Sequence, residues 1–411
     1  MIILYNIFLS LYVFAVFLAS SFNKKARKFL FGRRNLFSNL RAAFETNDQI
    51  LWFHAASLGE FEQGRPVIEE IKRLKPEYKI LITFFSPSGY EVKKNYEGAN
   101  FICYLPIDFS WNAHRFVKIV KPKAAFFIKY EFWNNYTQVL KSQNIPVYCF
   151  SSIFRPSQLF FKWYGAWYRN ILSRFDHLFV QNQLSKELLE SIGIGDISVS
   201  GDTRFDRVYQ IAAQTKQLPI IENFKNGSIV LIAGSTWPAD EELLISYIND
   251  CNKSMKFIIA PHEISKSAIE ELQKKINRKS VKYSEAENIK TVPCEVLIID
   301  NVGMLSSVYH YGDVAYIGGG FGIGIHNILE AATFGMPVIF GPNYKKFQEA
   351  VDLINRGGAF SIFDGDSLKT ILNQLLSAPD RLKQSSDVCK AYIEENKGAT
   401  QKIISGIGLF S

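Results

Sequence analysis

Ile50-Leu-Trp-Phe-His-Ala-Ala-Ser-Leu-Gly-Glu60 opens a pattern that the rest of the chain repeats. An apolar run over Ile50 to His54 reads as a strand, and the spacing from Phe61 to Leu74 reads as a helix. Lys79 to Thr83, Ala124 to Ile128, Val147 to Phe150 and His177 to Val180 are further short apolar runs of the same kind. Strands that alternate with helices imply parallel βαβ units. The stretch Tyr209 to Gly227 breaks the rhythm and reads as a linker. A second series then runs through Ile229 to Ala233, Lys256 to Ala260, Val296 to Asp300, Val314 to Gly318 and Pro337 to Phe340. The predicted fold is α/β, with two Rossmann-like doubly wound domains facing a cleft. The expected boundaries are 35–207 for the first domain, 208–227 for the linker and 228–392 for the second, with 393–411 crossing back to the first. Ligands in such sheets bind at the carboxyl ends of strands.

The bulk numbers agree with two folded domains. The chain has 411 residues, and 47% apolar content against 21% charged argues against disorder. Its net charge of +8 suits an anionic partner: nucleic acid, a phospholipid surface or an acidic substrate. Five cysteines without a CxxC pair read as reduced thiols. Residues 1–23 form the predicted membrane anchor, because Ile2 to Phe22 carries no charge. Lys24, Lys25, Arg27, Lys28, Arg33, Arg34 and Arg41 follow with no acid among them, and such charge stays cytoplasmic. The expectation is an uncleaved single-pass anchor with the domains on the cytoplasmic side of the membrane, against anionic lipid.

Five segments could carry chemistry. Ser57-Leu-Gly-Glu60 follows a strand end. Gly59 would let the backbone turn, and Glu60 could take a proton from an acceptor hydroxyl or merely complement the helix dipole. Tyr316 to Glu330 holds five glycines, Gly319 and Gly320 among them, between a strand and a predicted helix. Such a loop lets phosphate approach backbone N–H groups; a tight turn under helix packing is the plainer reading. Glu330, expected one turn into that helix, could accept from ribose hydroxyls or lie on a solvated face. Ser235 and Thr236 could contact phosphate or sugar, or cap the next helix. Lys129-Tyr-Glu-Phe-Trp-Asn-Asn135 mixes charge, aromatics and amides at a strand end. Arg155, Lys162 and Arg169 recur every seven residues among aromatics, which suits either a phosphorylated lipid at a membrane surface or a solvated helix edge. The six histidines show no metal-ligand spacing, and Asp364-Gly-Asp366 reads as a turn.

Taken together, these segments resemble the family that transfers Kdo (3-deoxy-D-manno-octulosonic acid) from CMP-Kdo to lipid A precursors. The resemblance rests on His54 to Glu60, Ser86 to Gly89, Tyr104 to Asp108, Glu131-Phe-Trp133 with Asn135, Gly201 to Asp206, Gly234 to Thr236, His326 to Glu330 and Gly341 to Asn343. It implies a two-lobed glycosyltransferase of the GT-B type with an amino-terminal anchor at the inner membrane. It also implies a metal-independent, cofactor-free, inverting transfer with Glu60 as base. The expected donor contacts are Ser235, Thr236, Gly319, Gly320, His326, Asn327 and Glu330. The expected acceptor contacts are Ser57, Gly59, Glu131, Arg155, Lys162 and Arg169. CMP-Kdo, lipid IVA and inner-membrane phospholipid are the expected partners, and nucleic acid is not. The family usually has an acid where Lys129 stands and a proline where Asn134 stands, so this chain departs from the pattern in the acceptor region. Another two-lobed enzyme using a UDP-sugar, an epimerase of the same fold, and a non-catalytic membrane scaffold are the rival readings.

Overall fold

The computed structural model describes residues 1–286 and 294–408. The chain divides into two compact units, one from residues 1–207 plus the chain from Lys397 onward, the other from Val208 to Asn396.

The first unit is built on a parallel sheet of seven strands among the described residues: β1 (Ile50–Ala55), β2 (Lys79–Phe84), β3 (Phe101–Tyr104), β4 (Ala124–Ile128), β5 (Val147–Ser152), β6 (His177–Val180) and β7 (Ile197–Val199). Their order is β3-β2-β1-β4-β5-β6-β7, so the winding reverses between β1 and β4. Every residue of β1 is buried, as expected for a parallel strand covered on both faces. Alternate side chains feed two cores. Trp52 and Phe127 enter one with Phe116 and Tyr136, whereas Phe53 and Phe126 enter the other with Phe61 and Tyr148. The helix Leu58–Leu74 covers the second core and approaches β4 closely at Gly64, where a Cβ would stand 2.2 Å from Ile128 Cδ1.

The apolar amino terminus is one helix, Ile2–Ala19, of 18 residues. One stripe of it lies along the first unit. Tyr5 donates to the Asp108 carboxylate at 2.6 Å, Leu9 is buried, and the Tyr12 ring sits 5.9 Å from Phe29 and 6.3 Å from Phe85. The face away from this stripe stays bare: Ile3 is 71% exposed and Phe8 67%. Composition and length permit a membrane segment, but one stripe of the helix is committed to protein.

The second unit repeats the plan with β8 (Ile229–Thr236), β9 (Met255–Pro261), β10 (Ser280–Lys282), β11 (Val296–Ile298), β12 (Val314–Ile317), β13 (Val338–Phe340) and β14 (Ala359–Ser361). Their order is β10-β11-β9-β8-β12-β13-β14, with the reversal between β8 and β12. The expected linker 208–227 is largely helical, in Thr203–Ala213 and Pro219–Lys225. Ile221 and Phe224 are buried there, and Lys225 pairs with Asp313 at 3.1 Å, which ties the segment into the second unit. Asp364 is a helix N-cap and not an isolated turn: its carboxylate accepts from Ser367 N at 2.8 Å and starts Gly365–Ser377. The last described helix, Ala399–Gly406, belongs to the first unit. The Asp206 carboxylate holds its start by accepting from Gly398 N, Thr400 N and Thr400 Oγ1.

Candidate active site

In the first unit, the segments after β1 and β4 meet at the winding reversal, the usual binding edge of an open parallel sheet. Ser57 and Glu60 form a capping box at the start of Leu58–Leu74. One Glu60 carboxylate oxygen accepts from Ala56 N at 2.5 Å and Ser57 N at 3.2 Å. The capping role and a proton-accepting role are therefore compatible, since one oxygen is pinned and the other accepts no hydrogen bond among the described residues. Burial pushes the Glu60 carboxyl up to about 7, with a further upward push from Glu131. The two capping amides and Lys129 pull the other way. A carboxylate poised near neutrality suits general-base work.

Glu131 is held from behind. Its Oε2 accepts from Trp133 Nε1 at 2.7 Å and lies 3.2 Å from His54 Nε2. The His54 ring is fully buried, with Nδ1 2.8 Å from Thr83 Oγ1. His54 comes from β1, Thr83 from β2 and Glu131 from the turn after β4, so three strands fix one carboxylate beside another. His54 was quoted in the sequence motif without a role; its pairing in register with Phe127 brings it next to the segment that carries Glu131.

Gly59 does not act as expected. It has no left-handed φ and sits in the first helical turn, so Ala56 and Ser57 make the chain's turn. A Cβ there would meet nothing within 4 Å, which leaves open space beside Glu60. The basic stripe also differs from expectation. Only Ala166–Leu172 is α-helical, after a short 3-10 turn at Leu159–Phe161, because Pro156 and Gly165 interrupt the run. Arg169 spends one guanidinium nitrogen on the carbonyls of Phe160 and Lys162, at 3.0 and 2.9 Å. Lys162 is half-buried, and Arg155 is exposed, within the field of Tyr130. The three residues thus share no helical face.

In the second unit, β8 and β12 flank the reversal, and both carry predicted residues at their ends. Ser235 adopts φ 55°, a left-handed conformation at the end of β8. Thr236 is buried and donates to Glu241 at 3.0 Å, a packing role for its hydroxyl. The glycine segment runs as a loop through residue 328 and the helix after it spans only Leu329–Thr333, so Glu330 lies in its first turn. Phosphate contacts here would come from loop amides, not from a long helix axis. Gly320 allows backbone-on-backbone contact, since a Cβ there would stand 2.5 Å from Gly341 N. Asp240 organises the loop. Fully buried, its carboxylate accepts from Gly319 N and Trp237 N, both at 2.9 Å, and from Tyr316 OH at 2.8 Å.

The structure brings Gly319 and His326 together at a cavity of about 560 Å³, lined also by Trp237, Asp240, Phe321 and Lys346. Trp237 Nε1 donates to His326 Nε2 at 3.0 Å, and His262 stacks on both rings. Burial and the neighbouring His262 lower the His326 pKa, favouring the neutral ring. Asn327 and Glu330 form a second group: Glu330 accepts from Asn327 Nδ2 at 3.0 Å and from Ser306 Oγ at 2.6 Å. Trp237 and Lys346 were not predicted; their only sequence signal is position, one after Gly234-Ser-Thr236 and the other after Gly341-Pro-Asn343.

Residues 28–207 match the family described as "3-Deoxy-D-manno-octulosonic-acid transferase (kdotransferase)". The 3-deoxy-D-manno-octulosonic acid transferase of Aquifex aeolicus is 29% identical over 355 residues, covering 84% of this chain and 92% of that protein. Over these spans the chain is similar to the Kdo transferase family. The enzyme of the same name from Haemophilus influenzae is 25% identical, covering 87% and 86%. This is a glycosyltransferase family of lipopolysaccharide biosynthesis. Among solved structures, the UDP-GlcNAc 2-epimerase of Neisseria meningitidis superposes with a TM-score of 0.61 at 16% identity, over 87% of this chain and 99% of that one. That likeness concerns the fold alone.

Proposed function

We propose that this protein is a Kdo transferase that moves Kdo from CMP-Kdo to a glucosamine hydroxyl of lipid IVA at the cytoplasmic face of the inner membrane. The observation that carries the reading is the Glu60 carboxylate: pinned by two amides, raised to about 7, and placed at the winding reversal of the first sheet. The hydroxyl oxygen attacks the anomeric carbon while Glu60 accepts its proton. The bond from that carbon to the phosphate oxygen breaks on the opposite side, so configuration inverts and CMP leaves with the electron pair. The donor is assigned to the second unit. Its loop amides around Gly319 and Gly320 would receive the phosphate charge, where each aligned donor is worth about 3–4 kcal/mol. Ser235, Thr236, His326, Asn327 and Glu330 frame that donor region, with Thr236 acting through packing. Ser57, Gly59, Glu131 and Arg155 are assigned to the acceptor side; Lys162 and Arg169 lie further along the same segment.

The test is mass spectrometry of lipid IVA incubated with CMP-Kdo and the protein, in EDTA. The expected product gains one Kdo or more, and Glu60→Gln gives none on the same timescale. A product from a UDP-sugar in place of CMP-Kdo would overturn the reading.

A further inference from the structure

Lys129 stands one residue beyond Ile128, the last position of β4 paired with β5, and its N–H still reaches Phe150 O at 2.9 Å. Its φ is 71°. A side chain in this left-handed region is strained, and glycine would avoid the strain. The neighbouring strand end is bent in the same sense at Ser151, φ 58°, a buried residue whose hydroxyl is 2.8 Å from Thr203 Oγ1. Ser151 thus has a packing reason for its conformation. Lys129 has none of that kind: it is half-buried, and among the described residues its ammonium makes no ion pair and no hydrogen bond. The ammonium lies 5.7 Å from the centre of the Tyr130 ring.

The surroundings define what would pair with it. Arg204 is paired with Asp202, two guanidinium nitrogens meeting the single oxygen Oδ2 at 2.8 and 2.7 Å. Glu60 has one carboxylate oxygen on the capping amides of Ala56 and Ser57 and makes no ion pair with Lys129 among the described residues. Arg155, from the segment after β5, is exposed and lies within the field of Tyr130 and Lys129. Two cations thus stand at adjacent strand ends near Glu60 and Asp202, with no ion pair from either cation among the described residues. Burial and the fields of Arg204 and Arg155 depress the Lys129 pKa, while Glu60 and Asp202 raise it. A doubly charged, multiply accepting group satisfies such a pair better than a single carboxylate does.

We propose that Lys129, together with Arg155, forms an anion subsite that binds a phosphate monoester of the acceptor next to Glu60. The inference rests on the reading of the first unit as the acceptor side. Bound there, the phosphate would hold the sugar so that its hydroxyl meets the base, which makes Lys129 a binding residue and not the proton acceptor.

The experiment is calorimetry of the full-length protein in detergent with a phosphorylated glucosamine disaccharide and with its non-phosphorylated counterpart. Lys129→Gln should weaken the phosphorylated ligand about tenfold or more and leave the other unchanged. Lys129→Arg should stay within a few-fold of wild type. Lys129→Gly should show the same binding loss while melting at a higher temperature, because relief of the left-handed side chain stabilises the fold. That combination separates binding from folding. Equal affinity of the Gln variant for the phosphorylated ligand, an equal loss for both ligands, or no phosphate-dependent binding by wild type would each overturn the subsite. Phosphate-dependent binding through Lys129 without Kdo transfer in the mass-spectrometric assay would instead sink the proposed reaction and keep the subsite.

Discussion

At the scale of single residues, two carboxylates with different environments divide the work. Glu131 is fixed by His54 and Trp133, while Glu60 keeps an upward-shifted proton affinity beside it. General bases typically contribute 10²–10⁴-fold, so Glu60→Gln should lose at least about a hundredfold in single-turnover transfer while CMP still binds. A variant within a few-fold of wild type would remove Glu60 from the mechanism. The pH dependence carries a second expectation. A base works only when deprotonated, so the single-turnover rate should fall on the acid side of about pH 7. Glu131 raises the Glu60 pKa, so Glu131→Gln should lower it and move the acid limb to lower pH. A limb that stays in place, or moves up, would show that the two carboxylates do not interact. Glu60 itself was legible in the sequence because it follows a strand end in an intact motif. His54 was less so, since its partners Thr83 and Glu131 lie on other strands and only sheet order joins them.

At the scale of elements, the strands that were legible are the largely buried apolar ones, even three-residue β11 and β13, and those that were not lie at sheet edges. β3, β7, β10 and β14 are edge strands of three or four residues, too short to show periodicity and only partly buried. The strand order was out of reach for the same reason, yet it explains where four of the motifs fall: those with Glu60, Glu131, Ser235 and Gly319 lie at or just beyond the ends of β1, β4, β8 and β12, the strands at the two reversals. The helical linker was hidden by the polar run Gln214 to Gln217 and by Pro219, which opens a helix instead of ending one. Asp240 is where an element-level prediction can be made. Its carboxylate accepts from the strand β12 side chain Tyr316, from the loop at Gly319 and from its own helix start at Trp237 N. Asp240→Asn replaces one accepting oxygen with a donor that would face an N–H or O–H. An unsatisfied buried group costs about 1–3 kcal/mol, so the melting temperature should fall and CMP affinity should drop as the glycine loop loosens. CMP binding at wild-type strength in a destabilised variant would show that the loop needs no such tether.

At the scale of the whole molecule, the amino-terminal helix is long and apolar enough to serve the proposed membrane contact. Its 18 residues extend about 27 Å, enough for a bilayer core. A helix that crossed alone would carry Tyr5 to the far side, away from the first unit. Tyr5 instead donates to Asp108, a buried carboxyl raised by burial to about 7 that also accepts from Asn135 N and Tyr136 N at 3.0 Å. Further along, Tyr12 packs on Phe29 and Phe85, and Ser20 is buried. The stripe repeats at each helical turn, so releasing the helix would strip partners from a buried acid and bare an aromatic cluster. The exposed face, with Ile3, Phe8, Phe14 and Phe17, would then lie against lipid while the docked face stays on protein, as in a helix bound in the plane of the interface. The sequence showed the apolar run and the basic residues after it, but not this contact, which links positions 103 apart. All five native cysteines are buried, so one introduced at position 2 would be the only exposed thiol among the described residues. In intact cells and in inverted membrane vesicles, Ile2→Cys should react with a membrane-impermeant maleimide from the cytoplasmic side only. Labelling from the opposite side would show that the helix leaves the lobe and spans. Tyr5→Phe removes the hydrogen bond and keeps the ring. It should lower the melting temperature with little change in membrane binding, since the lipid-facing residues are untouched.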